Sequence, residues 1–356
     1  MKRWEANVRK VVPYVPGEQP KETDIIKLNT NENPYPPSPM VLEALQNVKY
    51  EDLRLYPDPE ISQLVHSIAA DKGLDDNQVF VGVGSDDVLA MSFMTFFNSD
   101  KPVFFPDITY SFYDVWADLF HIKYETKALR DDFTIDVNDY KAPNGGIVIP
   151  NPNAPTGLEA SSSAIESIIA ANEDSIVIID EAYVDFGARS VVSLIEKYDN
   201  LLVVQTFSKS RSMAGSRIGF AMGNAKLIKY LNDCKYSFNS YTMDRITMAV
   251  GQAAIEDVDY FNSTVADIIS TREWVKDELD DLGFVFPDSS ANFIFASHPD
   301  IAAAEIFEEL KKRGIYVRYF NKPRIDNYLR ITIGTDEQMG QLIEALKEIR
   351  SLKCHD

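Results

Sequence analysis

From about residue 77 to residue 223 the chain repeats one pattern. A short β-branched or aromatic run breaks at Gly, Pro, Asp or Ser and is followed by a segment whose apolar positions recur at helical spacing. Runs that are apolar at consecutive rather than alternate positions suit strands buried on both faces, as in parallel sheets covered by crossover helices. The pattern predicts seven strands, over 79–84, 103–105, 123–128, 147–150, 176–180, 202–207 and 218–222. These make one open, doubly wound, mostly parallel α/β sheet. Such sheets bind ligands outside the carboxyl ends of their strands, so the residues just after each run are the candidates for function.

Before the sheet, 29–39 is too rich in proline and asparagine for a helix or a central strand, and is expected to be an ordered surface connection. Ile61, Leu64, Val65 and Ile68 follow at helical spacing and predict a helix packed on the core. Beyond about residue 244 the pattern changes to long helical segments and then to strands over 291–296, 315–317 and 328–333. A closing helix carries Ile343, Leu346 and Ile349. The expected organisation is a large domain over 34–244 and a smaller α+β domain over 245–356. Residues 1–33 form an arm too short to fold alone, which packs on the smaller domain.

Composition narrows the class. The 356 residues are 45% hydrophobic and 25% charged, which excludes a disordered or fibrous chain. The formal charge of −20 opposes non-specific attraction to nucleic acid or to an anionic membrane. No apolar run is long enough to span a bilayer, and no export signal follows the basic residues at the N-terminus. Cys234 and Cys354 lie far apart and outside any Cys-x-x-Cys spacing, which suits a reducing compartment, the cytoplasm. His66, His121, His298 and His355 have no metal-like spacing, so no metal is expected.

Four strand ends carry the chemistry: 82–86, 151–157, 180–183 and 206–209. Gly82-Val-Gly-Ser-Asp86 leads from a strand into a helix, where Ser85 either simply caps the helix or the exposed N–H groups bind a phosphate. Asp86 would repel that anion unless its side chain turned away, so the donors would be backbone N–H groups. Asp180 ends a wholly apolar run, where a carboxylate is costly unless a cation pairs with it. Lys209 ends the next run, about one crossover later, and near desolvating walls a lysine becomes a nucleophilic amine. Arg217 returns at the head of the following strand. A phosphate cradle, a carboxylate, an amine and an arginine on one rim match pyridoxal 5'-phosphate. That cofactor needs a lysine for its Schiff base, an anion at its ring nitrogen and donors for its phosphate.

The motifs Asp180-Glu-Ala-Tyr183, Ser208-Lys209 with Arg217, Asn153-Ala-Pro-Thr-Gly157 and Leu55-Tyr-Pro-Asp58 resemble those of the fold-type-I pyridoxal-phosphate aminotransferases. Within these, the similarity is to the branch acting on histidinol phosphate, and it runs from about Val12 to Ile349. The resemblance implies that Lys209 binds the cofactor and shuttles the substrate proton. It implies that Asp180 pairs with the ring nitrogen and Tyr183 with the phenolic oxygen. Ser85, Asp86 by its backbone, Ser208 and Arg217 would hold the phosphate, and Tyr110 would stack on the ring. Tyr56 would reach the cofactor of a second subunit, which makes the active unit a homodimer. One position departs from the pattern: Ala154 stands where many relatives have an asparagine bonding the phenolic oxygen. Either Asn153 takes that role or Tyr183 acts alone.

For the substrate, the resemblance implies two anion-binding arginines, Arg318 and Arg330, with Tyr14 and the 31–33 stretch, notably Asn31, covering the site. A surface ion pair is the alternative for either arginine, and plain packing for Tyr14. The implied reaction transfers an amino group between L-histidinol phosphate and 2-oxoglutarate, in histidine biosynthesis. An aromatic aminotransferase or a threonine-phosphate decarboxylase-like lyase would share every cofactor residue. A non-enzymatic ligand sensor of the same fold would need a basic DNA-binding segment, which this acidic chain lacks.

Overall fold

The computed structural model describes residues 3–14, 17–21 and 24–353. Cys354 and His355 lie outside these. The first strand, β1 (Ile26–Lys27), belongs to the arm. Helix α1 (Pro39–Gln46) starts at Ser38, whose hydroxyl accepts from the Met40 N–H, with proline at the first helical position, where its missing N–H costs nothing. Helix α2 (Ser62–Lys72) carries Leu64 and Ile68 into the core and stops at Gly73 in the left-handed conformation.

All seven expected sheet strands form: β2 (Val79–Gly82), β3 (Val103–Pro106), β4 (Tyr124–Lys127), β5 (Gly146–Pro150), β6 (Val177–Asp180), β7 (Leu201–Thr206) and β8 (Gly219–Gly223). Their order is β2-β8-β7-β6-β5-β3-β4. Successive side chains of the central strands enter opposite cores. Ile147, Ile149, Val177, Ile179, Leu201 and Val203 pack on one side, and Val148, Ile178, Leu202 and Val204 on the other. This is the physical reason the runs are apolar at every position. β8 alone is reversed, pairing antiparallel with both β2 and β7. The link from β7 is a loop with a short 3₁₀ turn (Ala214–Ser216) instead of a crossover helix, so the chain returns in the opposite direction.

Helices α3 (Ser85–Phe96), α4 (Tyr113–Phe120), α5 (Ser162–Ala170) and α6 (Ala225–Phe238) cover the sheet. Helices α7 (Arg245–Glu256) and α8 (Val258–Asp281) follow, each opened by an aspartate, Asp244 and Asp257, whose side chain accepts from a first-turn N–H. The C-terminal part holds β9 (Phe293–Ala296), α9 (Ala303–Lys312), β10 (Ile315–Tyr316), β11 (Arg318–Tyr319), β12 (Leu329–Thr332) and α10 (Asp336–Lys353). It has its own apolar cluster, including Ile294, Leu310, Ile331 and Leu346.

Two expectations are corrected. The single strand expected over 315–317 is two short strands in different ladders: β10 pairs in parallel with β1, and β11 pairs antiparallel with β12. The chain crosses between them at Val317, whose side chain is buried in the local core. The connection over 29–39 is not a surface segment at its start. Asn29 and Asn31 are buried, Asn31 to 1% exposure: Asn31 bonds Thr332, Tyr183 and Asn292, and the Asn29 amide donates to Glu18 O while its side-chain oxygen has no partner among the described residues.

Candidate active site

The turn after β2 is shaped by glycines. Gly84 has φ of +88° and is itself the residue before α3, so Ser85 is the first helical residue and not the cap expected as one reading of the sequence. The N–H groups of a first helical turn have no intrahelical acceptor. On β8, Gly219 passes directly beneath: a Cβ there would stand 2.2 Å from Ser85 N and 2.3 Å from the Gly84 carbonyl carbon. Arg217, at φ of +52°, folds over the same turn. Its guanidinium donates to Ala214 O at 3.2 Å and Ser208 Oγ at 3.5 Å, and lies 3.3 Å from Asp86 Oδ2. The Asp86 carboxylate does not turn away from the site: it lines the cavity beside the Arg217 guanidinium, and Tyr110 OH donates to its other oxygen at 2.7 Å.

Asp180 ends β6 at 5% exposure. Burial pushes its carboxyl up to about 6, against donors that favour the ionised form: Tyr113 OH at 2.8 Å on Oδ2 and the Ala182 N–H at 3.2 Å on Oδ1. Lys209 follows β7, and its Nζ donates to Thr30 O at 3.2 Å and lies 5.7 Å from the centre of the Tyr183 ring. Tyr183 OH accepts from Asn31 Nδ2 at 2.8 Å. Lys209, Asp180, Tyr183, Tyr110, Ser85 and Arg217 share one cavity of 180 Å³, with Asp86 and Ser208 also in its wall.

A second cavity, 420 Å³, shares Tyr110, Tyr183, Lys209 and Arg217 and is walled by Tyr14, Asn31, Arg318 and Arg330. The two arginines are directly opposite each other across the β11–β12 ladder. Like charges so placed repel. Arg330 is held by one bond from Nη2 to Asn29 O at 3.1 Å, and its Nε has no partner among the described residues. Burial pulls its guanidinium below the usual value, and the Arg318 charge adds to this. An anion between them would relieve both costs. Tyr14 stacks on Phe112 with ring centres 4.1 Å apart and closes this cavity from the arm. Asn31 joins three parts: its N–H donates to Thr332 Oγ1 at 3.0 Å, its carbonyl accepts from Asn292 at 3.1 Å, and its amide holds Tyr183.

Two expected cofactor residues lie elsewhere. Asn153 does not line the shared cavity. Its amide donates to Ile108 O at 3.0 Å and Thr156 Oγ1 at 3.2 Å, so the side chain is turned to the other side of the turn, and Ala154 faces the cavity instead. Tyr183 and Ala154 line the cavity and Asn153 does not. Tyr56 is 79% exposed, its ring against Tyr241 at 4.7 Å and its carbonyl accepting from Arg245. The sequence reading missed Tyr113 and Thr30, while Glu32, within the 31–33 stretch, does line the cavity. Tyr113 could have been found one helical turn after Tyr110. Thr30 acts through its backbone carbonyl, which no residue type signals. Burial raises the Glu32 carboxyl, but its bonds to Lys27 and Thr30 outweigh this and leave it lowered.

The family model for aminotransferase class I and II matches residues 23–346. The chain belongs to this family and is a pyridoxal-phosphate-dependent transaminase, with pyridoxal 5'-phosphate as its cofactor. Its residues fit that group: Gly219 leaves the Ser85 turn open where a Cβ would fill it, and the buried Asp180 carboxylate needs a cation beside it. The particular proteins it is similar to share one name. It is 55% identical over 350 residues to the histidinol-phosphate aminotransferase of Clostridium beijerinckii, covering 98% of each chain. It is 54% identical over 347 residues to that of Clostridium acetobutylicum, covering 98% of this chain and 99% of the relative. The fold matches the crystal structure of histidinol-phosphate aminotransferase from Sinorhizobium meliloti in complex with pyridoxal-5'-phosphate. The TM-score is 0.84 at 23% identity, over 92% of this chain and 91% of that one.

Proposed function

We propose that the enzyme moves an amino group between L-histidinol phosphate and 2-oxoglutarate, a step of histidine biosynthesis. The observation that carries this reading is the facing pair Arg318 and Arg330 in a cavity that opens onto Lys209. 2-Oxoglutarate and glutamate bring carboxylates to the site, whereas histidinol phosphate has no α-carboxylate and brings a phosphate. Guanidinium groups bind both anions through the same planar fork, so one pocket serves both half-reactions. The names and the 54–55% identity of the curated relatives support the same substrate.

When bound, pyridoxal phosphate supplies an electron sink for the carbon that loses its proton. Lys209 Nζ holds the cofactor and then moves that proton at the amine-bearing carbon of the substrate. Asp180 would hold the ring nitrogen as a carboxylate, Tyr183 OH would donate to the phenolic oxygen, and Tyr110 would pack against the ring. The N–H groups of Ser85 and Asp86, the Ser208 hydroxyl and the Arg217 guanidinium bind the phosphate at the helix start, where partial positive charge gathers. Asn31 orients Tyr183, and Tyr14 excludes water from the substrate side.

Tyr56 completes the phosphate site of a second copy, which makes the unit a homodimer. Exposed Leu42, Leu45, Leu53, Leu55, Tyr56 and Tyr241 supply apolar surface for that contact. The expected division is a large domain over 34–244 with 1–33 and 245–356 as arm and small domain. The separate C-terminal apolar cluster, whose members after β8 begin at Ile268, supports two cores, while Val250, Ala253, Ala254 and Ile255 of α7 pack in the core of the large one. No helix among the described residues is long and apolar enough to cross a membrane. The cytoplasm suits an enzyme of amino-acid biosynthesis with two isolated cysteines.

The test is product analysis with histidinol phosphate, an aromatic amino acid and threonine phosphate as donors, alongside Lys209→Ala. Wild-type protein should transaminate histidinol phosphate, and the variant should lose turnover and the lysine-dependent absorbance of the cofactor. No transamination of histidinol phosphate would overturn the substrate, and normal turnover by the variant would overturn the role of the lysine.

A further inference from the structure

The fully buried Tyr113 has no direct place at the substrate, yet its hydroxyl makes the shortest bond to the Asp180 carboxylate. Its ring is fixed from several sides. Phe105 meets it edge-on with centres 5.7 Å apart, Tyr110 edge-on at 5.8 Å, and Phe93 at 6.2 Å. This packing leaves the hydroxyl one direction to point. Asp180 Oδ2 takes that hydrogen bond and Oδ1 takes the Ala182 N–H, so both oxygens are anchored on the protein side and their remaining lone pairs are oriented toward the cavity.

We propose that Tyr113 is a positioning residue for the cofactor: it holds the Asp180 carboxylate in the orientation and the charge state that the ring nitrogen requires. The proposal rests on the reading of Asp180 as the partner of that nitrogen. The groups that face Asp180 are Tyr113 from α4, the Ala182 N–H, Asp86 from α3 and Lys209 after β7. Asp86 disfavours the carboxylate and Lys209 favours it, while burial disfavours it most. Tyr113 opposes that burial and remains a donor, because burial and the adjacent Asp180 charge push its own ionisation far above the usual range.

The experiment is a double-mutant cycle with Tyr113→Phe and Asp180→Asn, read by pyridoxal-phosphate titration of the cofactor-free proteins between pH 5 and 9. Difference infrared spectra of the cofactor-free proteins report Asp180 protonation. Hydrogen bonds to charged groups have strengths corresponding to about 10- to 100-fold in affinity. Tyr113→Phe should therefore weaken cofactor binding by about that factor at pH 7 and move the Asp180 protonation midpoint upward, so that the carboxylate forms only at higher pH. In the Asp180→Asn background the same change should have no effect on binding. Wild-type affinity in Tyr113→Phe, an unmoved Asp180 midpoint, or an equal loss in both backgrounds would overturn the proposal, the last by showing that the tyrosine only packs. If Tyr113→Phe fails to fold, the double variant decides, since removing the buried carboxylate should restore folding; a double variant that is also unfolded overturns the proposal. Normal cofactor affinity in Asp180→Asn alone would instead overturn the reading of Asp180 itself.

Discussion

Gly219→Ala is the substitution whose effect follows most directly from geometry. The added Cβ would stand 2.2 Å from Ser85 N, 2.3 Å from the Gly84 carbonyl carbon and 2.7 Å from Ser85 Cα. Non-bonded carbon contacts relax at about 3.5–4.0 Å, so the helix start must retreat by about 1 Å or more. All three neighbours are backbone atoms, and no side-chain rotation relieves them. Overpacking of this kind costs about 1–3 kcal/mol, which a domain with about 5–15 kcal/mol of stability survives. The phosphate site does not survive it, because the Ser85 and Asp86 N–H groups move with the helix. A hydrogen bond to a charged group is worth about 1.5–3 kcal/mol, so mis-aiming two of them should weaken pyridoxal phosphate about 10²- to 10⁴-fold. The assay is a fluorescence titration of cofactor into cofactor-free protein, with thermal unfolding in parallel. Gly215→Ala is the control, since a Cβ at Gly215 meets nothing within 4 Å. A dissociation constant for Gly219→Ala within about twofold of wild type would refute the phosphate cradle, since even one lost charge-assisted bond exceeds that.

Two further outcomes are expected. Arg330→Gln should raise KM for 2-oxoglutarate and for histidinol phosphate together, each by about 10- to 100-fold, with cofactor absorbance unchanged; an effect on one substrate alone, in steady-state kinetics with each varied, would show that the two anions use different pockets. Glu181, behind Asp180, is raised to about 7 by burial despite donors from Ser190, the Val191 N–H and Gln205. Its stabilising contribution is therefore complete below its unfolded value of 4.5 and is lost as pH rises to about 7, a change of about 3 kcal/mol. Glu181→Gln should flatten the fall in stability between pH 5 and 8 in denaturant titrations, and an unaltered slope would show that Glu181 is ionised in the folded protein throughout.

The fold was legible because burial on both faces leaves a mark at every position of a strand. All seven sheet strands begin and end within about two residues of the runs that predict them. The short strands were not: β1 and β11 have two residues each, and their pairing is decided by distant partners. Lys209, Asp180, Tyr183, Tyr110, Ser85, Asp86, Ser208 and Arg217 were legible together because a doubly wound sheet brings strand ends to one rim, so chemistry separated by more than a hundred residues can be added up before any coordinates exist. Asn153 was misplaced because its neighbour and not itself faces the cavity, a distinction of one residue that the motif alone cannot make. Thr30 was invisible because it contributes a carbonyl, and Tyr113 because its partner is a side chain 67 positions away.

The same accounting explains how a chain of net charge −20 holds anionic ligands. A surface field is screened over about 10 Å at 0.1 M salt, whereas a bound anion is within hydrogen-bond distance of its donors. Three acids line the cofactor cavity: Asp86 is paired with Arg217 and Glu32 with Lys27 at 2.5 Å, while Asp180 is bonded by the neutral Tyr113 and has no cationic partner among the described residues. Arg318 and Arg330 instead face each other, with the Arg330 Nε unpartnered. The sign of the field where the substrate anion would bind is therefore set by these two guanidinium groups. The overall charge governs solubility and long-range encounter, while the arrangement of a few strand ends governs what is bound.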